Sequence, residues 1–347
     1  MSASGKGKVE NIQALRAIAA LLVLSAHLKF CIAGNNFSGQ VPHWLESSVG
    51  GCGVDIFFVI SGFVVSLSAD QQQAGAGRFF WNRLTRVAPF YSLTSIACLL
   101  LMVVKGRCPE FSNLWNSFFY LPLFDVKEWS VPVNNFGWSL SFEMWFYTLF
   151  AALLLKFSPG KTSVLLPVLL GFGVLMGYVF DVQRFCFRFM LHPLGLEFAL
   201  GCLIYRFRRH LTFRIAFCGF VLTLLSFITL VPAHLDGALD NFQQSWERVV
   251  YWGLPAGLVV IACVGLESSA GIVAPKFLVA LGEISFSMYL IQPLVIMVGS
   301  RICWISGMKN PFVAVVFCVT LLILSAYLSW RFCERPLTRL ARRLWTP

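Results

Sequence analysis

The chain has 347 residues, 58% of them hydrophobic and 12% charged, with a mean hydropathy of +0.75 and a formal charge of +11. So apolar a composition excludes an ordinary soluble domain and predicts an all-α integral membrane protein. The basic residues fall between apolar segments, not along one amphipathic face, so the lipid bilayer is the expected partner and nucleic acid is not.

In chain order, a short polar tail (residues 1–11) carrying Lys6 and Lys8 precedes the first apolar run, which has no small-residue cleavage site and is expected to stay as a span. Stretches long enough to cross ~30 Å of hydrocarbon as helices fall at 12–30, 49–69, 87–104, 136–155, 163–180, 187–205, 213–231, 249–266, 277–298 and 311–330. This predicts a bundle of about ten transmembrane helices over 12–335, followed by a basic tail over 336–347. No internal repeat and no polar stretch sized for a soluble domain interrupts it.

Lysine and arginine set the expected orientation, with both termini cytoplasmic and roughly 18 of the 27 basic residues on that side. Arg248 counts among the few outside, next to the acidic loop Asp236 to Glu247. The loop from Lys105 to Asn135 contains NLWNSFFYLPLF, too short to span; its aromatics suit an interfacial anchor, or a lid over an outward cavity. Pro167, Pro193, Pro255 and Pro293 are expected to bend their helices, whereas Pro89 is expected near the start of its span, where a missing N–H costs little. The cysteines have no metal-type spacing and read as packing residues, with a disulfide among Cys31, Cys52, Cys108, Cys186 and Cys303 left open.

Charges inside the apolar runs carry the functional signal. Arg16 and His27 stand eleven positions apart in the first span, on one helical face and separated by ~16 Å. Counting inward from the outer edge at 1.5 Å per residue places His27 ~5 Å deep, Asp55 ~8 Å and Glu143 ~9 Å, so these three are expected at one level. A carboxylate beside a histidine fixes its tautomer and makes it a base; the bland alternative is a buried structural ion pair, and intramembrane charge favours function. Arg83 and Arg86, at i and i+3, suit a phosphate or carboxylate, or serve as anchors. Glu197 near mid-membrane needs a partner, and Glu283, Ser285, Ser287, Tyr289 and Gln292 form a polar stripe that reads as interhelical glue or cavity lining. No serine-nucleophile elbow, phosphate loop or metal cluster is present in the sequence.

Taken together, Arg16-x10-His27, GVDIFFVISGF around Asp55, the Arg83/Arg86 pair, WSLSFE ending at Glu143, EFALG and LGEISFSMYL occur in an order that resembles the membrane-bound acyltransferase-3 family, from about Ile12 to Arg335. The resemblance implies a multi-pass enzyme of the bacterial inner membrane. It would be an O-acetyltransferase of lipopolysaccharide or exopolysaccharide type, moving an acyl group from cytoplasmic acetyl-CoA to a sugar hydroxyl of a glycan or glycolipid, without a metal. It implies His27 and Glu143 as catalytic residues and Arg16, Arg83 and Arg86 as donor-binding ones. Many relatives have a histidine where this chain has Gln292. On this reading His27 deprotonates the acceptor hydroxyl, with Asp55 or Glu143 holding the imidazole, in preference to forming an acyl-histidine. A secondary transporter that uses the same cluster for protons or solute is the alternative.

Overall fold

The computed structural model describes residues 9–32, 49–73, 75–121, 132–180, 182, 185–229 and 242–344. All regular structure among them is helical. The helices are α1 (Glu10–Ile32), α2 (Cys52–Gln72), α3 (Ala76–Val104), α4 (Phe111–Phe119), α5 (Gly137–Leu154), α6 (Pro159–Val179), α7 (Phe185–Met190), α8 (Gly195–Phe207) and α9 (Phe213–Thr229). After them come α10 (Phe242–Arg248), a π turn (Val249–Gly253), α11 (Leu254–Ala270), α12 (Lys276–Glu283), α13 (Ser285–Ile305), α14 (Pro311–Ser329), a second π turn (Trp330–Glu334) and α15 (Arg335–Arg343). Eight helical stretches among the described residues are long and apolar enough to cross a bilayer. The 18-residue α5 is not one of the eight, and α9, at 17 residues, is short of a full span.

Helix α1 lies against α2, α11, α12 and α13, so the segment carrying Arg16 and His27 has neighbours on several sides. Its first turn is tied down by a distant acid: the backbone N–H groups of Glu10 and Asn11 donate to Glu267 at 3.0 and 2.8 Å. A carboxylate there satisfies orphan donors and opposes the helix dipole. The Asn11 side chain adds bonds to the carbonyls of Cys263 and Ile272 and accepts from Ala274. Helices α2 and α8 cross at glycines. A Cβ on Gly62 would sit 2.0 Å from the Phe198 carbonyl oxygen, and one on Gly201 2.0 Å from that of Val59, so only glycine allows this approach.

Several expected elements differ. Helix α3 starts at Ala76, which places Arg83, Arg86 and Pro89 inside it; the polar first turns carry the helix beyond its apolar run. The sixth expected span is broken between α7 and α8, where His192 accepts the Leu194 N–H at 3.3 Å beside Pro193. The ninth is split at Ile284 into α12 and α13. Beyond residue 335 the chain continues as α15, which packs on α3. The aromatic loop piece is α4, with Phe111, Trp115 and Phe119 exposed along one side, the pattern of an interfacial helix. The tail 1–8, the loop 122–131, the acidic segment 236–241, and the side chains of Cys31 and Cys186 lie outside the described residues. Cys52, Cys108 and Cys303 are thiols.

Candidate active site

Two chambers open inside the bundle. The narrower, about 80 Å³, is walled by Arg16 of α1, Ser61 of α2, Arg83 and Arg86 of α3, and Glu143 and Tyr147 of α5. The wider, about 710 Å³, is walled by His27, Asn135, Trp138, Arg248 and Trp252, among others. Val54 and Tyr289 line both, so the chambers adjoin at these two side chains. Tyr289 is fixed there by its hydroxyl, 2.7 Å from Ser139 Oγ and 3.2 Å from the Phe136 carbonyl.

In the narrow chamber neutral hydroxyls and rings hold the charged groups. Glu143 accepts from Ser61 Oγ at 2.5 Å and from the Tyr147 hydroxyl. Arg83 is only 8% exposed; it donates to Ser68 Oγ, and its guanidinium carbon lies 5.6 Å from the ring centres of both Phe79 and Tyr147. Three arginines against one glutamate leave the chamber cationic, which fits a phosphate-bearing ligand at its entrance.

In the wide chamber His27 Nδ1 is 2.7 Å from the carbonyl oxygen of Val23, one turn earlier. A carbonyl accepts only, so the proton sits on Nδ1 and Nε2 is the basic nitrogen. The ring rests on Phe136 at 4.7 Å between centroids.

The expected meeting of His27, Asp55 and Glu143 at one level is therefore corrected. Glu143 sits with the arginines, because Val133, Asn134 and Phe136 are buried and α5 begins inside the bundle, not at its surface. Counting residues from a shared outer plane misses that offset. Asp55 lines neither chamber. Both its carboxylate oxygens are engaged by Arg248, Oδ1 by Nε at 2.9 Å and Oδ2 by Nη2 at 2.8 Å, in a pair closed to solvent. The imidazole is oriented by a backbone carbonyl, not by Asp55 or Glu143.

Arg248 is the residue that counting loop charges missed. It is 3% exposed, and its guanidinium carbon lies 4.9 Å from the Trp252 ring and 5.6 Å from Trp138. Opposite charge was the available signal: Asp55 enters near the start of its helix and Arg248 stands at the head of the eighth expected span, so both occupy the same end. Glu197 sits in the first turn of α8, 1% exposed, beside Asp55 of this pair and packed on Gly253 of the first π turn. Gln292 is glue: its amide donates to the Ala20 carbonyl of α1 at 3.2 Å. Ser285 bonds the Gly282 carbonyl and lines the narrow chamber, Ser287 bonds Glu334, and Glu283 is exposed.

The described residues thus form a multi-helix bundle in which a cationic chamber adjoins one lined by a histidine. The chain belongs to the acyltransferase-3 family: the family profile, described as an acyltransferase domain, matches residues 9–330. It is 30% identical over 305 residues to the exopolysaccharide production protein ExoZ of Rhizobium meliloti, covering 85% of this chain and 92% of that one. It is 28% identical over 187 residues to the peptidoglycan O-acetyltransferase OatA of Listeria monocytogenes, covering 48% of this chain and 28% of that one. With the O-acetyltransferase OatA of Staphylococcus aureus it shares 25% over 365 residues, 95% of this chain and 57% of the relative. No solved structure matches the chain. The protein is thus an acyltransferase, and the transporter alternative falls away.

Proposed function

We propose that the protein moves an acyl group, acetyl in the first instance, from cytoplasmic acyl-CoA to a hydroxyl of a cell-surface or exported glycan. The bundle would comprise ten spans with both termini cytoplasmic in the bacterial inner membrane. The observation that carries the reading is the junction of the arginine chamber with the histidine chamber. CoA phosphates stay at Arg83 and Arg86 because a nucleotide is too charged for the bilayer and too bulky for a chamber of about 80 Å³. The slim pantetheine arm passes Arg16 and brings the thioester past Val54 and Tyr289 toward His27.

There Nε2 of His27 takes the proton of the acceptor hydroxyl as its oxygen attacks the thioester carbonyl. The tetrahedral intermediate collapses, the C–S bond breaks, and the CoA thiolate recovers the proton from the imidazolium. Arg248, held in orientation by Asp55, supplies a fixed cation where negative charge grows on the carbonyl oxygen. The room for a sugar lies on the His27 side, with about 710 Å³ against about 80 Å³.

The test is purified protein in sealed vesicles with labelled acetyl-CoA and an oligosaccharide acceptor. Label should appear as an ester on the acceptor, and His27→Ala should cut the rate by ~10²–10⁴ while acetyl-CoA still binds. Ester formation at the wild-type rate by that variant would overturn the assignment of His27.

A further inference from the structure

A third recess lies apart from both chambers, where the start of α6 meets the end of α8. Lys161, Arg206, Arg208 and Arg209 ring it. The one carboxylate in its wall, Asp70, accepts from the Tyr205 hydroxyl and lies 3.7 Å from Arg208, which stacks on the Tyr205 ring at 3.8 Å. Among the described residues Lys161, Arg206 and Arg209 have no ion-pair partner. Three uncompensated cations therefore face one concave space. The N-terminal turn of α6 borders the same recess at Ser158 and Gly160, and its first N–H groups add to the positive field.

This arrangement recognises a phosphate, and its surroundings say how that phosphate is carried. From the recess, α6 continues as an apolar outer face: Val164, Leu165, Val168, Leu169 and Phe172 are 36 to 65% exposed. Val164 and Leu165 belong to the recess wall itself, so basic and apolar surfaces are continuous. A free phosphate would use only the basic part. A phospholipid uses both, with its headgroup in the recess and a chain along α6, and basic pockets between membrane helices hold anionic headgroups in this way.

We propose that this recess is a binding site for an anionic phospholipid, which joins α6 to α8 at the basic end of the bundle. A choline headgroup would bring a fifth cation among these four and be disfavoured. The site involves none of the residues assigned to acyl transfer, so it stands or falls independently of that reading.

The test compares full-length protein in nanodiscs of phosphatidylcholine alone and of phosphatidylcholine with phosphatidylglycerol. Phosphatidylglycerol should raise the thermal midpoint of the wild type and stay bound in native mass spectrometry. The gain should shrink as salt is added. In Lys161→Gln, Arg206→Gln, Arg209→Gln the gain and the retained lipid should both be lost. These side chains are exposed, so the fold should persist; Arg206→Gln alone, read by retained lipid, covers the case in which the triple variant is unstable. An equal phosphatidylglycerol gain in wild type and variant would overturn the site in favour of a general bilayer effect. An equal gain from inorganic phosphate or CoA in phosphatidylcholine discs would overturn the lipid assignment and leave a soluble-phosphate site.

Discussion

Arg248 and Asp55 form a guanidinium–carboxylate pair inside a membrane bundle, and the cost of breaking it sets the first prediction. Removing one partner of such a pair strands the other charge, at about 3–5 kcal/mol. Arg248→Met or Asp55→Leu alone should therefore lower the thermal midpoint in detergent sharply, while the double variant should recover most of the loss. Activity should not return in the double variant, since the cation in the wall of the His27 chamber is gone; recovered transfer would show that Arg248 serves stability only. For the donor end, Arg83→Ala with Arg86→Ala should weaken acetyl-CoA binding at least tenfold, and wild-type binding should itself weaken as salt rises. Titration of the purified protein reads both. Arg16, His27, Asp55 and Glu143 stood out in the sequence as charges in apolar runs, and Arg83 and Arg86 as an i, i+3 pair just ahead of one. Their partners did not, because pairing depends on the height at which each helix enters the bundle.

Helices show the same division between composition and geometry. Long apolar runs mark α1, α2, α6 and α14 well, since length and hydropathy are what a bilayer demands. The break before α8 escaped because apolar residues continue across it; His192 and Pro193 were the local sign, yet proline alone does not separate a bend from a stop. The extension of α3 back to Ala76 escaped for the opposite reason, as its first turns are polar and hydropathy ignores them. The α2–α8 crossing yields a prediction of its own. Gly201→Leu pushes side-chain atoms into the Val59 backbone, and overpacking of this kind costs about 1–3 kcal/mol. The folded yield and thermal midpoint should fall, and acetyl-CoA turnover per folded molecule should fall with them, because α2 carries Val54, which lines both chambers, and Ser61 of the narrow one.

For the molecule as a whole, the family profile covers nearly the entire described chain, and the match to ExoZ runs almost end to end on both sides. Under the proposed orientation the donor has a single correct side. Vesicles that present the Arg83 face outward should consume added acetyl-CoA, whereas sealed vesicles of the opposite orientation should not until permeabilised. Equal consumption by both would contradict the assignment of the arginine chamber as the inlet.

The tie between Glu267 and the head of α1 also says something about time. Its hydrogen bonds join residues 256 and 257 positions apart in the chain. As the polypeptide is made, the first helix enters the bilayer long before the acid that secures it exists. The element holding both Arg16 and His27 therefore takes its final register late, after α11 has been synthesised. Nascent chains stopped before Glu267 should carry α1 in the membrane without a formed site, and protease or thiol-labelling access along α1 should drop only once that residue has emerged.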